Sequence, residues 1–306
     1  MVSTNSHWKL GFGFLVASTF VIGAGISPAM ADDASDTNKT ADLISAVAPT
    51  QGEVQLTTIS GQGGFDSTAA ALPLDSSDTV TVKGDAEVPL QIGLPQHGPS
   101  VAGKQASDGT IVYTSNSAVD VAAQSLSSGK LRLQTVLKDE SAPLTYSYEV
   151  GADYSLAEAA DGTFWAYRFA ENGQIEIYGI GEAWARDANG AVVDTHYEID
   201  GNILKQVVAP AADAAYPIVA DPTGEWYSAA YGAGFSKQET RELANVGAVT
   251  GFCATIAKFP ALAAACGIAG AQWFLQAGLA ANANGCVFIA AIPAPLAIRW
   301  ISDNCR

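Results

Sequence analysis

Between residues 78 and 222 apolar and polar positions alternate in short runs. Thr79-Val80-Thr81-Val82, Leu131-Arg132-Leu133-Gln134-Thr135-Val136, Thr145-Tyr146-Ser147-Tyr148-Glu149-Val150 and Gln174-Ile175-Glu176-Ile177-Tyr178 each repeat with period two. That is the pattern of a strand with one buried and one wet face. Asp161-Gly162, Asn172-Gly173, Asn189-Gly190 and Asp200-Gly201 are turn pairs at spacings of 11, 17 and 11 residues. Glycine there tolerates the left-handed backbone that tight hairpins require. Turns this frequent leave no room for crossover helices. The segment therefore predicts a meander of about ten to thirteen strands, closed as an antiparallel β-sandwich or a barrel-like sheet.

The pattern differs on either side. Residues 32–77 are rich in Ser, Thr, Ala, Gly and Asp, with a short helix signal at Ala41 to Val47 stopped by Pro49, and read as a flexible linker of poor order. From 225 the period becomes helical. Ser236-Lys237-Gln238-Glu239 is a capping box, and Leu243, Val246, Val249, Cys253 and Ile256 follow at steps of 3, 3, 4 and 3, one apolar helix face. Phe259-Pro260 breaks that helix and starts a second, which ends at the cap Asn284-Gly285. Residues 225–306 are thus expected to be a helical hairpin. Its core would be Leu243, Val246, Ile256, Leu262, Trp273 and Leu279.

The first 31 residues read as a signal peptide. Lys9, the apolar run Leu10 to Ile26 and Ala29-Met30-Ala31 form the three regions of an export signal, so the mature chain is expected to start at Asp32. Losing Lys9 takes the net charge from −16 to −17. Residues 32–224 hold 27 acidic and 9 basic side chains, whereas 225–306 hold 4 and 5. This asymmetry predicts two domains, and the acidic one would repel nucleic acid and anionic lipid.

All four cysteines, Cys253, Cys266, Cys286 and Cys305, lie in the C-terminal part, which export would expose to an oxidising compartment. Four cysteines admit three pairings. Symmetry about Pro260 and about Pro293 and Pro295 favours Cys253 with Cys266 and Cys286 with Cys305. Zinc is disfavoured because steps of 13, 20 and 19 residues contain no C-x₂-C pair.

The 40 residues between Lys258 and Arg299 carry no charge. A helix of 24 of them would extend ~36 Å, enough to cross a bilayer. Ala263, Gly267 and Ala271 have the four-residue spacing of close helix packing in membranes. The composition, mostly Ala and Gly with Gln272, Gln276 and Asn282, instead suits a helix packed inside the stapled domain. Membrane contact through 259–298 is the competing reading.

Few residues suggest chemistry. After export only His97 and His196 remain, and no G-x-S-x-G or H-E-x-x-H pattern occurs. Asp194, His196, Glu198 and Asp200 share one face of a strand and could bind a divalent cation. A solvated strand face accounts for them more simply, so no catalytic, metal or cofactor site is expected. Phe164, Trp165, Tyr167 and Phe169, with Trp184, could form a sugar platform, although aromatics on strands more often fill cores. Ser60-Gly61-Gln62-Gly63-Gly64 lacks the Lys and Ser/Thr of a phosphate loop and reads as a loop.

Ala183-Trp184-Ala185-Arg186-Asp187-Ala188-Asn189-Gly190, then Thr195-His196-Tyr197 through Gly201-Asn202, then Tyr216-Pro217-Ile218-Val219-Ala220-Asp221-Pro222 resemble a group of uncharacterised exported proteins of actinobacteria. These share a WA-x-DA-x-G turn, a T-x-Y strand and a closing YP-[IV]-VADP, and the likeness covers roughly 130–222. It implies a secreted actinobacterial protein and carries no activity over. The class expected is α+β, an acidic β-domain at 78–222 followed by a disulfide-stapled helical domain at 225–306. The expected function is secreted and non-enzymatic, through binding an envelope or extracellular partner. The alternative is a bacteriocin-like effector whose membrane-active C-terminal domain is carried by a β-rich delivery domain.

Overall fold

A computed structural model describes residues 28–60, 63–84, 86–96, 98–115, 117–158, 162–169, 175–227, 231–292 and 295–300. The chain is α+β, and every paired strand among these residues is antiparallel. Helix α1 (Pro28–Val47) precedes a five-stranded sheet laid down in chain order: β1 (Thr58–Ile59), β2 (Phe65–Asp66), β3 (Ala70–Leu72), β4 (Thr79–Val82) and β5 (Gln91–Gly93). Next come β6 (Lys104–Gln105), β7 (Ile111–Tyr113), β8 (Val119–Ser125), β9 (Leu131–Leu137), β10 (Thr145–Glu149), β11 (Ser155–Glu158), β12 (Phe164–Phe169), β13 (Ile175–Ile180) and β14 (Ala185–Arg186). The β-rich part closes with β15 (Asp194–Asp200), β16 (Ile203–Ala209), β17 (Ile218–Ala220) and β18 (Thr223–Tyr227).

These strands form a ten-stranded sheet of order β11-β12-β13-β18-β9-β8-β7-β6, joined at β9 by β17 and β14, and a three-stranded sheet β10-β16-β15. One hydrophobic core serves all three sheets, with Leu72, Val80, Ile92, Leu133, Tyr148, Ala166, Tyr178 and Leu204 among its members. The alternation read from sequence sets the register. Tyr146 and Tyr148 are buried while Thr145, Ser147 and Glu149 are exposed. β8 and β9 are buried at every position, because the outer face of the large sheet is covered too. Gly201, at φ +64°, opens the two-residue turn of the β15–β16 hairpin, where Asp200 pairs with Ile203. Asp161 and the Asn172-Gly173 pair lie outside the described residues.

The segment 32–77, expected to be a poorly ordered linker, is folded. The helix signal at 41–47 belongs to a 20-residue helix whose Thr37, Ala41 and Ile44, at steps of four and three, bury against the outer face of the sheet. Ile44 meets Val112, Ala122, Val136 and Val219 there. Phe65, Ala70 and Leu72 bury in the main core from strands of two and three residues, too short to display a period. Ser60 and Gly64 close the β1–β2 turn by Ser60 N–H to Gly64 O (3.0 Å), while Gly61 and Gln62 are outside the described residues. So is the apolar run 10–26. The expected cut before Asp32 falls in α1, ahead of all three buried contacts.

The C-terminal part is not a plain helical hairpin. It comprises β19 (Tyr231–Phe235), α2 (Lys237–Ala244), α3 (Val249–Ile256), α4 (Pro260–Asn282), β20 (Cys286–Ile292) and β21 (Leu296–Trp300), the strands forming a sheet of order β19-β20-β21. The capping box is present: Glu239 N–H donates to Ser236 Oγ (3.2 Å) and Ser236 N–H to Glu239 Oε2 (2.9 Å). The helix it opens stops at Asn245, and Gly247, at φ +77°, redirects the chain into α3. The joint at Pro260 is tight, and Cys253 on α3 is bonded to Cys266 on α4, with Cα atoms 5.8 Å apart. Cys286 is also disulfide-bonded; Cys305 lies outside the described residues. At the end of α4, Asn284 takes φ +53°, and Asn284 N–H to Ala281 O (3.0 Å) with Gly285 N–H to Ala280 O (2.8 Å) completes a Schellman cap. Leu243, Ile256, Leu262 and Trp273 fill the core as expected, with Val246 at its margin, whereas Leu279 faces solvent.

The C-terminal sheet does not stand apart from the β-rich part. Phe288, Ala290, Leu296 and Ile298 pack against Trp165 and Ile177, on the same outer face of the large sheet that α1 covers further along. The side chain of Gln272 on α4 adds a bond from Nε2 to Glu158 O (3.3 Å).

Candidate functional site

β17 and β18 are one strand in one register along β9: Ile218 faces Leu137, Ala220 faces Thr135, Thr223 faces Arg132 and Gly224 faces Leu131. Asp221-Pro222 interrupts the ladder because proline has no N–H to donate; its carbonyl still accepts from Leu133 N–H (2.8 Å). On the opposite edge β13 pairs with β18 and β14 with β17, one residue out of step, so residues 181–184 bulge. The bulge frees the Trp184 N–H from the ladder. Asp221 takes it: Trp184 N–H donates to Asp221 Oδ1 (3.0 Å), and Asp221 N–H returns a bond to Trp184 O (3.3 Å).

A third segment joins from the small sheet. The Tyr197 hydroxyl on β15 donates to the same Asp221 Oδ1 (3.0 Å). Two residues away Thr195 Oγ1 donates to Val207 O (2.8 Å) and accepts from Gln206 Nε2 (3.2 Å), which also donates to Trp184 O (3.2 Å). The pieces of the WA-x-DA-x-G, T-x-Y and VADP motifs thus meet at one buried carboxylate. Asp221 is fully buried. Thr223 is adjacent, but its hydroxyl donates to Gln51 Oε1 (3.1 Å), and Asp221 Oδ2 is left buried with no hydrogen-bond partner among the described residues. Burial pushes the carboxyl up to about 7, held back by the donors from Trp184 and Tyr197.

The other motif aspartate has the opposite environment. Asp187 Oδ1 accepts from Asn189 N–H (2.9 Å) and Ala191 N–H (2.8 Å), and Oδ2 from Ala215 N–H (3.1 Å). These backbone donors, Ala215 foremost, hold its carboxyl below the usual carboxylate range. Asp187 thereby fixes its own turn and ties it to the segment leading into β17.

Two further polar groups bind the layers. Buried Arg132 on β9 donates from Nε to Gln124 Oε1 (2.9 Å) and from Nη1 to Pro49 O (3.0 Å), fastening the segment after α1 to the sheet. Thr135 Oγ1 and the Tyr148 hydroxyl are 2.8 Å apart in the core. The adjacent void, lined by Leu90, Leu133, Tyr148, Tyr178 and Gly224, measures about 20 Å³, room for about one water. Tyr178 lies flat on Gly224, where a Cβ would strike its ring.

The sequence-derived candidates separate on the fold. Asp194, His196 and Glu198 are exposed on β15 with Asp200; His196 Nε2 is 3.4 Å from Glu198 Oε1. No group of three His, Cys, Asp or Glu among the described residues is placed to hold a metal ion. The aromatic run on β12 is split by the pleat. Phe164 turns inward to an edge-on contact with Tyr197 (centroids 5.4 Å apart), whereas Trp165 and Tyr167 turn outward against the C-terminal sheet. They make no common platform. His97 and the side chain of Phe169 lie outside the described residues. Sequence reasoning missed the convergence on Asp221, whose only signal was the motif itself. No protein-family model, curated protein or solved structure matches this chain.

Proposed function

We propose that the chain is a secreted, non-enzymatic protein, its β-rich part a sandwich and its C-terminal part a disulfide-stapled unit, acting by binding in the envelope or medium. The observation that carries this reading is that the motif residues are spent on architecture. Tyr197 bonds to Asp221, Asp221 and Asp187 to backbone groups and Thr195 to Gln206 and Val207 O, and none of the four lines the neighbouring void of about 20 Å³. Asp187, Tyr197 and Asp221 are buried, away from any substrate. The resemblance to exported actinobacterial proteins supports the secreted setting, and the bridges suit an oxidising one.

A specific observation favours a second reading, the bacteriocin-like effector. α4 is long and apolar enough to cross a membrane, and Ile268, Leu275 and Leu279 are exposed on it. Against insertion, Cys266, Ala269, Trp273, Ala277 and Ala280 on its other face are buried in the core. Dye release from phosphatidylcholine and phosphatidylglycerol vesicles by the mature chain, oxidised and reduced, separates the two. A binding protein leaves both vesicles intact in both states; release by either form assigns the membrane-active role.

A further inference from the structure

Among the described residues one face of α4 has no partner. Ala264, Ile268, Ala271, Leu275 and Asn282 are exposed and Gly278 half-exposed; Ile268 is 79% and Leu275 58% exposed. Their steps of 4, 3, 4, 3 and 4 are the a/d spacing of a two-helix seam. The sizes alternate strictly. Ile268, Leu275 and Asn282 occupy one position of the repeat, and Ala264, Ala271 and Gly278 occupy the other.

This arrangement is self-complementary. Two antiparallel copies of α4 related by a two-fold axis between Ala271 and Leu275 place Ile268 opposite Gly278 of the second copy, Leu275 opposite Ala271 and Asn282 opposite Ala264. Every layer then sets a larger side chain against a smaller one, as an isologous contact requires. We infer that α4 is the self-association surface of this protein, its occupant a second copy of the same chain lying antiparallel across the seam.

The glycines are an independent observation. Glycine in a helix interior weakens it relative to alanine, so close approach is the usual reason to find one there. At Gly270 the reason is internal, because a Cβ would lie 2.8 Å from Cys253 Sγ and 2.9 Å from Cys266 Sγ. At Gly267 and Gly278 a Cβ would meet nothing within 4 Å. Among the described residues nothing comes close to either glycine, which leaves room for a helix approaching from outside. Charge points to the same place: α4 carries no charged residue in a chain of net charge −16, so two copies meet there without facing like charges.

The seam from 264 to 282 is ~27 Å long and covers less than the ~800 Å² per partner of a stable complex. The dimer is accordingly weak and reversible. Sedimentation equilibrium of the mature chain from about 10 µM to about 1 mM reads its dissociation constant directly. Gly278→Leu has open space in the monomer, so it folds, and it clashes with Ile268 across the axis; the constant should rise at least tenfold. Adding Ile268→Ala to Gly278→Leu moves the bulk within the same layer and should restore association. A mature chain monomeric at the top concentration overturns the inference, as does Gly278→Leu that leaves association unchanged or strengthens it, the result expected of a lipid surface or a larger apolar partner. Failure to rescue by Ile268→Ala also overturns the antiparallel register. None of these outcomes bears on whether vesicles leak.

Discussion

Asp221 joins three segments that are remote in sequence, and its burial makes it responsive to pH. An aspartate in an unfolded chain titrates near ~3.9, whereas here burial raises the carboxyl to about 7. The folded state therefore binds more protons than the unfolded state between those values. The contribution of Asp221 to stability is full below about pH 4, falls as pH rises towards 7 and levels off above it; the full separation corresponds to about 4 kcal/mol as an upper bound. Asp221→Asn keeps an oxygen for Trp184 and Tyr197 without a charge, so urea denaturation from pH 4.5 to 8 should show the slope of the wild type flattened in the variant. Asp221→Ala leaves both donors buried and unpaired and should lose about 2–4 kcal/mol near pH 4.5, and less at pH 8, because the variant lacks the titrating group. Asp187 is not interchangeable with it, because its carboxylate is held by three backbone N–H groups.

At the scale of elements, what was legible follows from length and exposure. β4 and β10 alternate buried with more exposed positions, and β9 and β13 carry the hydrogen-bonded polar residues Arg132, Gln134 and Glu176 on their covered face, so period two shows in all four; Ser236, Glu239, Pro260 and Asn284 announce the helix ends by local chemistry. The short strands β1 to β3 contain too few residues for any period. β20 escaped because Val287 to Ala290 are buried consecutively, which removes alternation. α1 was only half visible, since a helix with Asp, Asn and Thr through its middle buries only Thr37, Ala41 and Ile44 fully, with Leu43 and Val47 at the margin. Of the site, Asp187, Tyr197 and Asp221 stood out as motif residues, but their meeting depends on strand pairing over long separations that no local pattern reveals. The docking of α1 is checkable: Ile44→Ala should cost about 2–4 kcal/mol and render the segment around Pro49 cleavable by a protease at concentrations that spare the wild type.

On the scale of the whole molecule, the outer face of the large sheet is divided between an N-terminal helix and a C-terminal sheet. Trp165 is the largest side chain of the β-rich part in the second contact. Trp165→Ala should cost about 3 kcal/mol and separate the thermal unfolding into two transitions by calorimetry, where the wild type shows one. The first transition should belong to the C-terminal part.

The bond between Gln51 and Thr223 spans 172 positions, and it has a bearing on timing. β9 cannot gain its neighbour on that edge, nor the segment after α1 its anchor, until the chain near residue 224 exists. Contacts of such high order form slowly, so most of the polypeptide has been synthesised before the sheet can close. A chain that remains open this long leaves its unpaired strand edges exposed to other chains and to proteases until the last strand arrives.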